Sequence, residues 1–185
     1  MVRQILFVQG AGDGVHEKWD SQLVGSLRRE LGPGYEIRYP LMPNEADPTF
    51  ATWHMALDRE FAALQNGAVV AGHSIGGTIL INALAESAPE AALGAIVLIA
   101  APFVGRGGWE SDDIQPRLDI ATRLPPAVPI WLYHGDQDDI APVANVDLYA
   151  AAIPRARVRR LAGRDHQLNN DLSEVASDIR ELGPP

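Results

Sequence analysis

The apolar positions of this chain fall into two alternating patterns. Short, largely apolar runs at residues 5–8, 68–71, 95–100 and 130–134 are each followed within a few residues by glycine or proline. Runs of that length bounded by turn residues read as strands buried on both faces, as in a parallel sheet. Residues 35–39 and 157–161 read as two further strands. The second carries Arg157, Arg159 and Arg160 and so reads as a solvated edge.

Between these runs the spacing becomes helical. Trp19, Leu23, Leu27 and Leu31 recur every four residues with polar residues in the gaps, and Gly32-Pro33-Gly34 closes the stretch. Asp47-Pro48 reads as the cap and first residue of a second helix, whose buried stripe is Phe50, Trp53, Leu57, Phe61 and Leu64. Residues 76–87 are apolar nearly all round, which predicts a central, buried helix. A short helix is expected over residues 114–124 and another over 142–152. A last one carries Leu172, Val175, Ala176, Ile179 and Leu182 and is stopped by Gly183-Pro184-Pro185. Strands alternating with helices imply parallel pairing, right-handed crossovers and helices on both faces. In such α/β sheets ligands sit beyond the carboxyl ends of the strands.

Composition narrows the partners. A chain of 185 residues, 46% of them hydrophobic, suits one domain over residues 1–185 with a sizeable core. A net charge of −9 makes nucleic acid or an anionic membrane a poor partner and leaves a small-molecule substrate and a protein partner open. No cysteine is present, which removes disulfides, thiolate nucleophiles and Cys-ligated zinc together. No leader and no run of about 20 apolar residues appears, so no membrane insertion is expected and the cytoplasm is the default location. Two nucleotide motifs fail. In Gly10-Ala11-Gly12-Asp13-Gly14 the third glycine of a dinucleotide fingerprint is one place early, and no lysine stands before Thr78 as a phosphate loop requires. No metal-ligand spacing appears either, so neither cofactor nor metal is expected.

The chemistry lies at the strand ends. The third strand runs into Gly72-His73-Ser74-Ile75-Gly76, a G-x-S-x-G sequence followed by the apolar helix. A serine on a sharp strand-to-helix turn has its hydroxyl pushed into the open and faces the positive end of the helix. After the fifth strand comes His134-Gly135-Asp136-Gln137-Asp138-Asp139, and after the sixth Gly163-Arg164-Asp165-His166. A hydroxyl, a carboxylate cluster and an imidazole thus reach one rim in the order Ser, Asp, His. A serine hydroxyl needs a base to become a nucleophile near neutrality, histidine titrates in the right range, and a carboxylate fixes its tautomer. His73 reads as a locally packed residue, and Trp19, Trp53 and Trp131 as core. His16 in the first loop, and Phe103 and Trp109 in the glycine-rich segment after the fourth strand, are candidates for lining a pocket.

These motifs resemble the α/β-hydrolase superfamily. More narrowly, the chain is similar to the small, lid-poor serine hydrolases related to retinoblastoma-binding protein 9, in its length, in Trp19, and in Met42-Pro43 ahead of Trp53. The resemblance implies a minimal α/β-hydrolase fold of about six parallel strands in the order 2-1-3-4-5-6 with little or no lid. It implies Ser74 as nucleophile, His166 as base, and Asp138 as the acid, with Asp136 and Asp139 as competitors. It also implies the backbone N–H groups of Ala11 and Ile75 as oxyanion donors. The superfamily often has His-Gly where this chain has Gln9-Gly10, which alters the loop's side-chain contacts but not its backbone donor. The expected activity is hydrolysis of a small ester through an acyl-enzyme. Fold and triad do not separate an ester from a thioester, lactone or peptide bond. A binding scaffold that keeps the fold is the reading from another class, and an intact triad weighs against it.

Overall fold

A computed structural model describes residues 2–183; Pro184 and Pro185, expected to stop the last helix, lie outside the described residues. Six parallel strands form one sheet: β1 (Arg3–Val8), β2 (Tyr35–Arg38), β3 (Val69–His73), β4 (Ala95–Ile99), β5 (Ile130–Gly135) and β6 (Arg157–Leu161), in the order β2-β1-β3-β4-β5-β6. The helices are α1 (Ser21–Leu31), α2 (Phe50–Phe61), α3 (Ser74–Glu86), α4 (Ile120–Arg123), α5 (Ala144–Ala152) and α6 (Ser173–Arg180). This is the α/β-hydrolase topology expected from the motifs, with helices on both faces of the sheet.

The continuous apolar runs make two cores because successive side chains on a strand point to opposite faces. Ile5, Phe7, Val97, Trp131 and Tyr133 pack under α1 and α6, against Leu23, Leu27, Val175 and Ile179. Leu6, Val8, Val70, Ile96, Leu98 and Leu132 pack under α2, α3 and α5, against Trp53, Leu57, Leu80 and Tyr149. Helix α3 is buried nearly all round. The edge strand β6 is half exposed, as its arginines require: Arg159 pairs with Asp178, and Arg160 with Asp147.

Three local expectations are corrected. Helix α2 starts at Phe50, with Thr49 as its cap accepting the Thr52 N–H at 3.3 Å. Asp47, being followed by Pro48, is disfavoured in helical geometry, and its backbone N–H instead closes a turn onto Asn44 O. The helix expected over residues 114–124 shrinks to α4, because Pro116 lacks an N–H and Leu118 points fully into solvent. Trp19 is not core. Residues His16–Asp20 wind as a wider, π-type turn before α1 begins at Ser21, which turns Trp19 outward (54% exposed) and Asp20 inward (0%).

Candidate active site

The geometry of the rim follows from glycine. Ser74 sits at φ 52°, in the left-handed region that a side chain rarely adopts. That conformation survives because the turn is clamped by close backbone approach. A Cβ on Gly76 would lie 1.9 Å from the Gln9 carbonyl oxygen, and one on Gly72 would lie 2.6 Å from Gly77 Cα. No side chain fits at either place, so β3, the loop after β1 and the first turn of α3 meet directly behind Ser74. The register Val8↔Gly72 brings the first loop level with this turn.

Three loops then deliver their groups to one point. Ser74 Oγ lies 3.0 Å from His166 Nε2, and His166 Nδ1 lies 2.8 Å from Asp138 Oδ2. The carboxylate only accepts, so it keeps the ring proton on Nδ1 and leaves the Nε2 lone pair facing the hydroxyl. The Asp138 carboxyl group is fully buried. Burial alone raises its pKa, but contacts with His134 and His166 and the backbone N–H of Ala141 outweigh that and hold it well below the usual carboxylate range. Its Oδ1 accepts the N–H groups of Ile140 and Ala141 at 2.9 and 2.8 Å. Asp136 does different work: it accepts the Gly163 N–H at 2.7 Å and ties the two loops together. Asp139 is exposed. The loop carrying His166 is closed on itself by Asp165 accepting from Asn169 N–H at 2.7 Å and by Arg164 donating to Leu168 O at 2.9 Å.

The backbone N–H groups near Ser74 differ in their partners. The Gly10 N–H is spent on Asp20 at 2.7 Å and the Gly12 N–H on Glu45 O at 2.7 Å. The Ala11 N–H between them has no acceptor among the described residues. Ile75 is the second residue of α3, so its N–H has no partner four residues back within the helix. Gln9 replaces the more usual histidine by bracing the loop: its amide accepts from Met42 N–H at 3.0 Å and donates to the Glu45 carboxylate.

The cavity at Ser74 measures about 310 Å³ and is lined by Ala11, Val15, Trp19, Ile140, His166 and Gln167, among others. None of the three side chains expected to line it does so. His16 stacks on Tyr39 with ring centroids 4.0 Å apart. Phe103 turns inward edge-on to Tyr149. Trp109 is folded back by its backbone N–H donating to Phe103 O, and it borders a separate hollow with Gly105, Arg106 and Pro116. Val15, Trp19, Ile140 and Gln167 were missed. The one available signal was Asp20: an acid on the edge of the apolar stripe marks a break in helical register. A larger cleft of about 700 Å³, lined by Asp58, Phe61, Gln65, Ser87 and Glu90, lies at the opposite end of the sheet from Ser74.

Among the described residues no group of three His, Cys, Asp or Glu side chains is placed to hold a metal ion, and no helix is long and apolar enough to cross a membrane.

The sequence profile of the alpha/beta hydrolase family matches residues 5–184. No curated protein matches the sequence. Three solved structures illustrate the shared fold. The ydeN gene product of B. subtilis is 17% identical, with TM-score 0.77 over 98% of each chain. An α/β serine hydrolase without lid from Xanthomonas campestris is 16% identical, with TM-score 0.64 over 98% of this chain and 82% of that one. Est1E from Butyrivibrio proteoclasticus is 16% identical, with TM-score 0.69 over 98% and 86%. At these identities the likeness carries the fold, and the rim's chemistry rests on its own geometry.

Proposed function

We propose a function from one premise: the chain belongs to the alpha/beta hydrolase family. On our reading it is a serine hydrolase of the carboxylesterase kind. The observation that carries this is the unbroken line from Ser74 Oγ through His166 to Asp138, built on a serine at positive φ. Ser74 Oγ attacks the ester carbonyl while His166 Nε2 takes its proton. The oxyanion that forms is held by the N–H groups of Ala11 and Ile75, with the N-terminus of α3 adding its positive pole. The carbon–oxygen bond to the leaving alcohol breaks, and His166 returns the proton to that oxygen. Water then gives a proton to His166, attacks the acyl-enzyme, and releases the acid as Ser74 Oγ recovers its proton. Asp138 stabilises the imidazolium at both stages.

The cavity supports a small, uncharged ester. Its walls are largely apolar, and no lysine or arginine lines it to pair with a charged acyl group. Kinship with the serine hydrolases related to retinoblastoma-binding protein 9 is part of the proposal. It is supported by the Met42-Pro43 step, where Pro43 O accepts the Trp53 Nε1–H at 2.8 Å. A fluorophosphonate probe tests the reading. The parent chain should label at Ser74 and the Ser74→Ala chain should not; equal labelling of the two would sink the hydrolase reading.

A further inference from the structure

Behind Ser74 lies a second histidine–carboxylate contact that the proposed reaction does not use. Asp20 and His73 are 0% and 1% exposed. Asp20 Oδ2 accepts the Gly10 N–H at 2.7 Å and lies 3.0 Å from His73 Nδ1; Oδ1 accepts from Gln167 Nε2 at 3.3 Å. On its other side, His73 Nε2 lies 3.0 Å from the backbone carbonyl of His166. We propose that Asp20 and His73 form a buried ion pair, with His73 a doubly protonated imidazolium, that positions the nucleophile, the base and the oxyanion loop relative to one another.

The protonation follows from the partners. A backbone carbonyl can only accept, so Nε2 carries a proton. Both carboxyl oxygens lie 3.0 Å from Nδ1; Oδ2 also receives the Gly10 N–H and Oδ1 the Gln167 amide, so every other neighbour of the carboxyl group is a donor and favours its charged form. A carboxylate there requires a proton on Nδ1 as well. The titratable groups facing the His73 ring are Asp20 from the turn before α1, Asp138 from the loop after β5, and the His166 ring, 4.9 Å away between centroids. Burial works against a charged ring, and Asp20 outweighs it, so the His73 pKa is raised; burial likewise works against charge on Asp20, and His73 outweighs it, so the Asp20 pKa is lowered.

Each bond lands beside a working group. Gly10 precedes Ala11, His73 precedes Ser74, the carbonyl belongs to His166, and Gln167 follows it. The pair therefore fastens the loop after β1, the end of β3 and the loop after β6 together. The fit leaves no slack: a Cβ on Gly10 would stand 3.2 Å from Ser74 Cβ and 3.3 Å from His73 Nδ1. Asp20 does not line the cavity, and His73 borders it with only 1% of its surface exposed; both act through Ser74, His166 and the first loop, as positioning residues.

The inference deepens the serine hydrolase reading and rests on it for its kinetic part only. Nitrogen-15 NMR of the full chain, with the His73 ring assigned by its loss in His73→Gln, reads the charge directly. Both ring nitrogens should be protonated at about pH 8, well above the ordinary histidine pKa. A ring carrying one proton there overturns the ion pair, and neither result depends on hydrolysis. In the kinetic part, Asp20→Asn and His73→Gln should each lower kcat on a short p-nitrophenyl ester on the order of 10²-fold, since a misplacement of about 1 Å costs that much. KM should stay near its parent value, and the double variant should be no worse than either single one. Variants that lose thermal stability but turn over at the parent rate when folded would overturn the positioning role.

Discussion

Helix α3 has a serine at each end. Ser74 opens it, with Oγ 3.0 Å from His166 Nε2 and Nδ1 of that ring 2.8 Å from Asp138. Ser87 follows its last residue, with Oγ 3.1 Å from His54 Nε2 and Nδ1 of that ring 3.3 Å from Glu86 Oε2. By distance the two arrangements are near copies. Their surroundings differ in every respect that chemistry needs. Ser74 stands at the positive pole of the helix beside free N–H groups, whereas Ser87 stands at the negative pole among carbonyls, its own N–H tied to Ala83 O at 2.8 Å. The Asp138 carboxylate is fully buried, while the Glu86 side chain is 33% exposed and also pairs with Arg117. Ser87 Oγ donates to Asp58 at 3.0 Å, away from His54. The positive pole of the helix and N–H groups without helical partners lie at one end, and neither lies at the other.

The largest expected effect tests this contrast directly. Ser74→Ala should cost on the order of 10⁶-fold in turnover of a short ester, because the nucleophile and its base work as a unit. Ser87→Ala should leave the rate where it was. A substantial loss from Ser87→Ala in folded protein would mean that the distances, and not the dipole, decide. Next in size is the carboxylate. Asp138→Asn removes the acceptor that fixes the His166 tautomer and should lower kcat about 10⁴-fold. Glu86→Gln, Asp136→Asn and Asp139→Asn should leave kcat largely intact. Equal losses for Asp138 and Asp136 would mean that loop closure, and not the tautomer, is being measured.

A smaller effect appears in stability against pH. The Asp138 pKa is lowered in the folded chain, with His134, His166 and the Ala141 N–H overcoming burial. Its contribution is thus present above the unfolded value of about 3.9 and is lost as pH falls through the folded one. The His73 pKa is raised, so its contribution is present below about 6.5 and is lost as pH rises through the folded value. Thermal unfolding across pH should therefore show an acid limb that Asp138→Asn weakens and an alkaline limb that His73→Gln weakens. An acid limb unchanged by Asp138→Asn would place the titrating group elsewhere.

The sheet and the three groups at its rim were legible because both depend on local patterns. Apolar runs of strand length followed by glycine mark parallel strands, and a residue just past a strand end can only lie on the rim. That reasoning brought Ser74, His166 and the acidic cluster of Asp136, Asp138 and Asp139 to one rim without knowing any contact; the choice of Asp138 within the cluster came from the family resemblance. It failed where one residue's direction depends on a local change of winding. Trp19 and Asp20 exchange places because a wider turn precedes α1, and a spacing of four cannot register that. The pocket walls were equally opaque. Ile140 reaches Ser74 from the loop after β5 and Trp19 from the turn before α1, and their meeting is set by how two loops close over the sheet. His16, nearer to the first strand in sequence, is captured by Tyr39 instead.

The smallest effect concerns which end of α3 receives the acyl group. The cleft near Ser87, about 700 Å³, has more room than the cavity of about 310 Å³ at Ser74, but Asp58 and Glu90 make it acidic. The cavity at Ser74 offers Trp19 and Ile140, both more than half exposed, as an apolar wall. Burying part of one such wall residue against a substrate is worth roughly 1–2 kcal/mol at about 25 cal/mol per Å². Trp19→Ala should accordingly raise KM for short p-nitrophenyl esters roughly ten-fold, by that same 1–2 kcal/mol, with little change in kcat. Because the indole is half exposed, the folded chain should lose little stability, in contrast to Trp53→Ala in the core, which should cost about 3–5 kcal/mol. The shallow cavity also predicts no preference for long acyl chains over short ones. If Trp19→Ala leaves KM untouched, or if long chains are strongly preferred, the acyl group is being held by some other surface and the cavity at Ser74 has been misread as its seat.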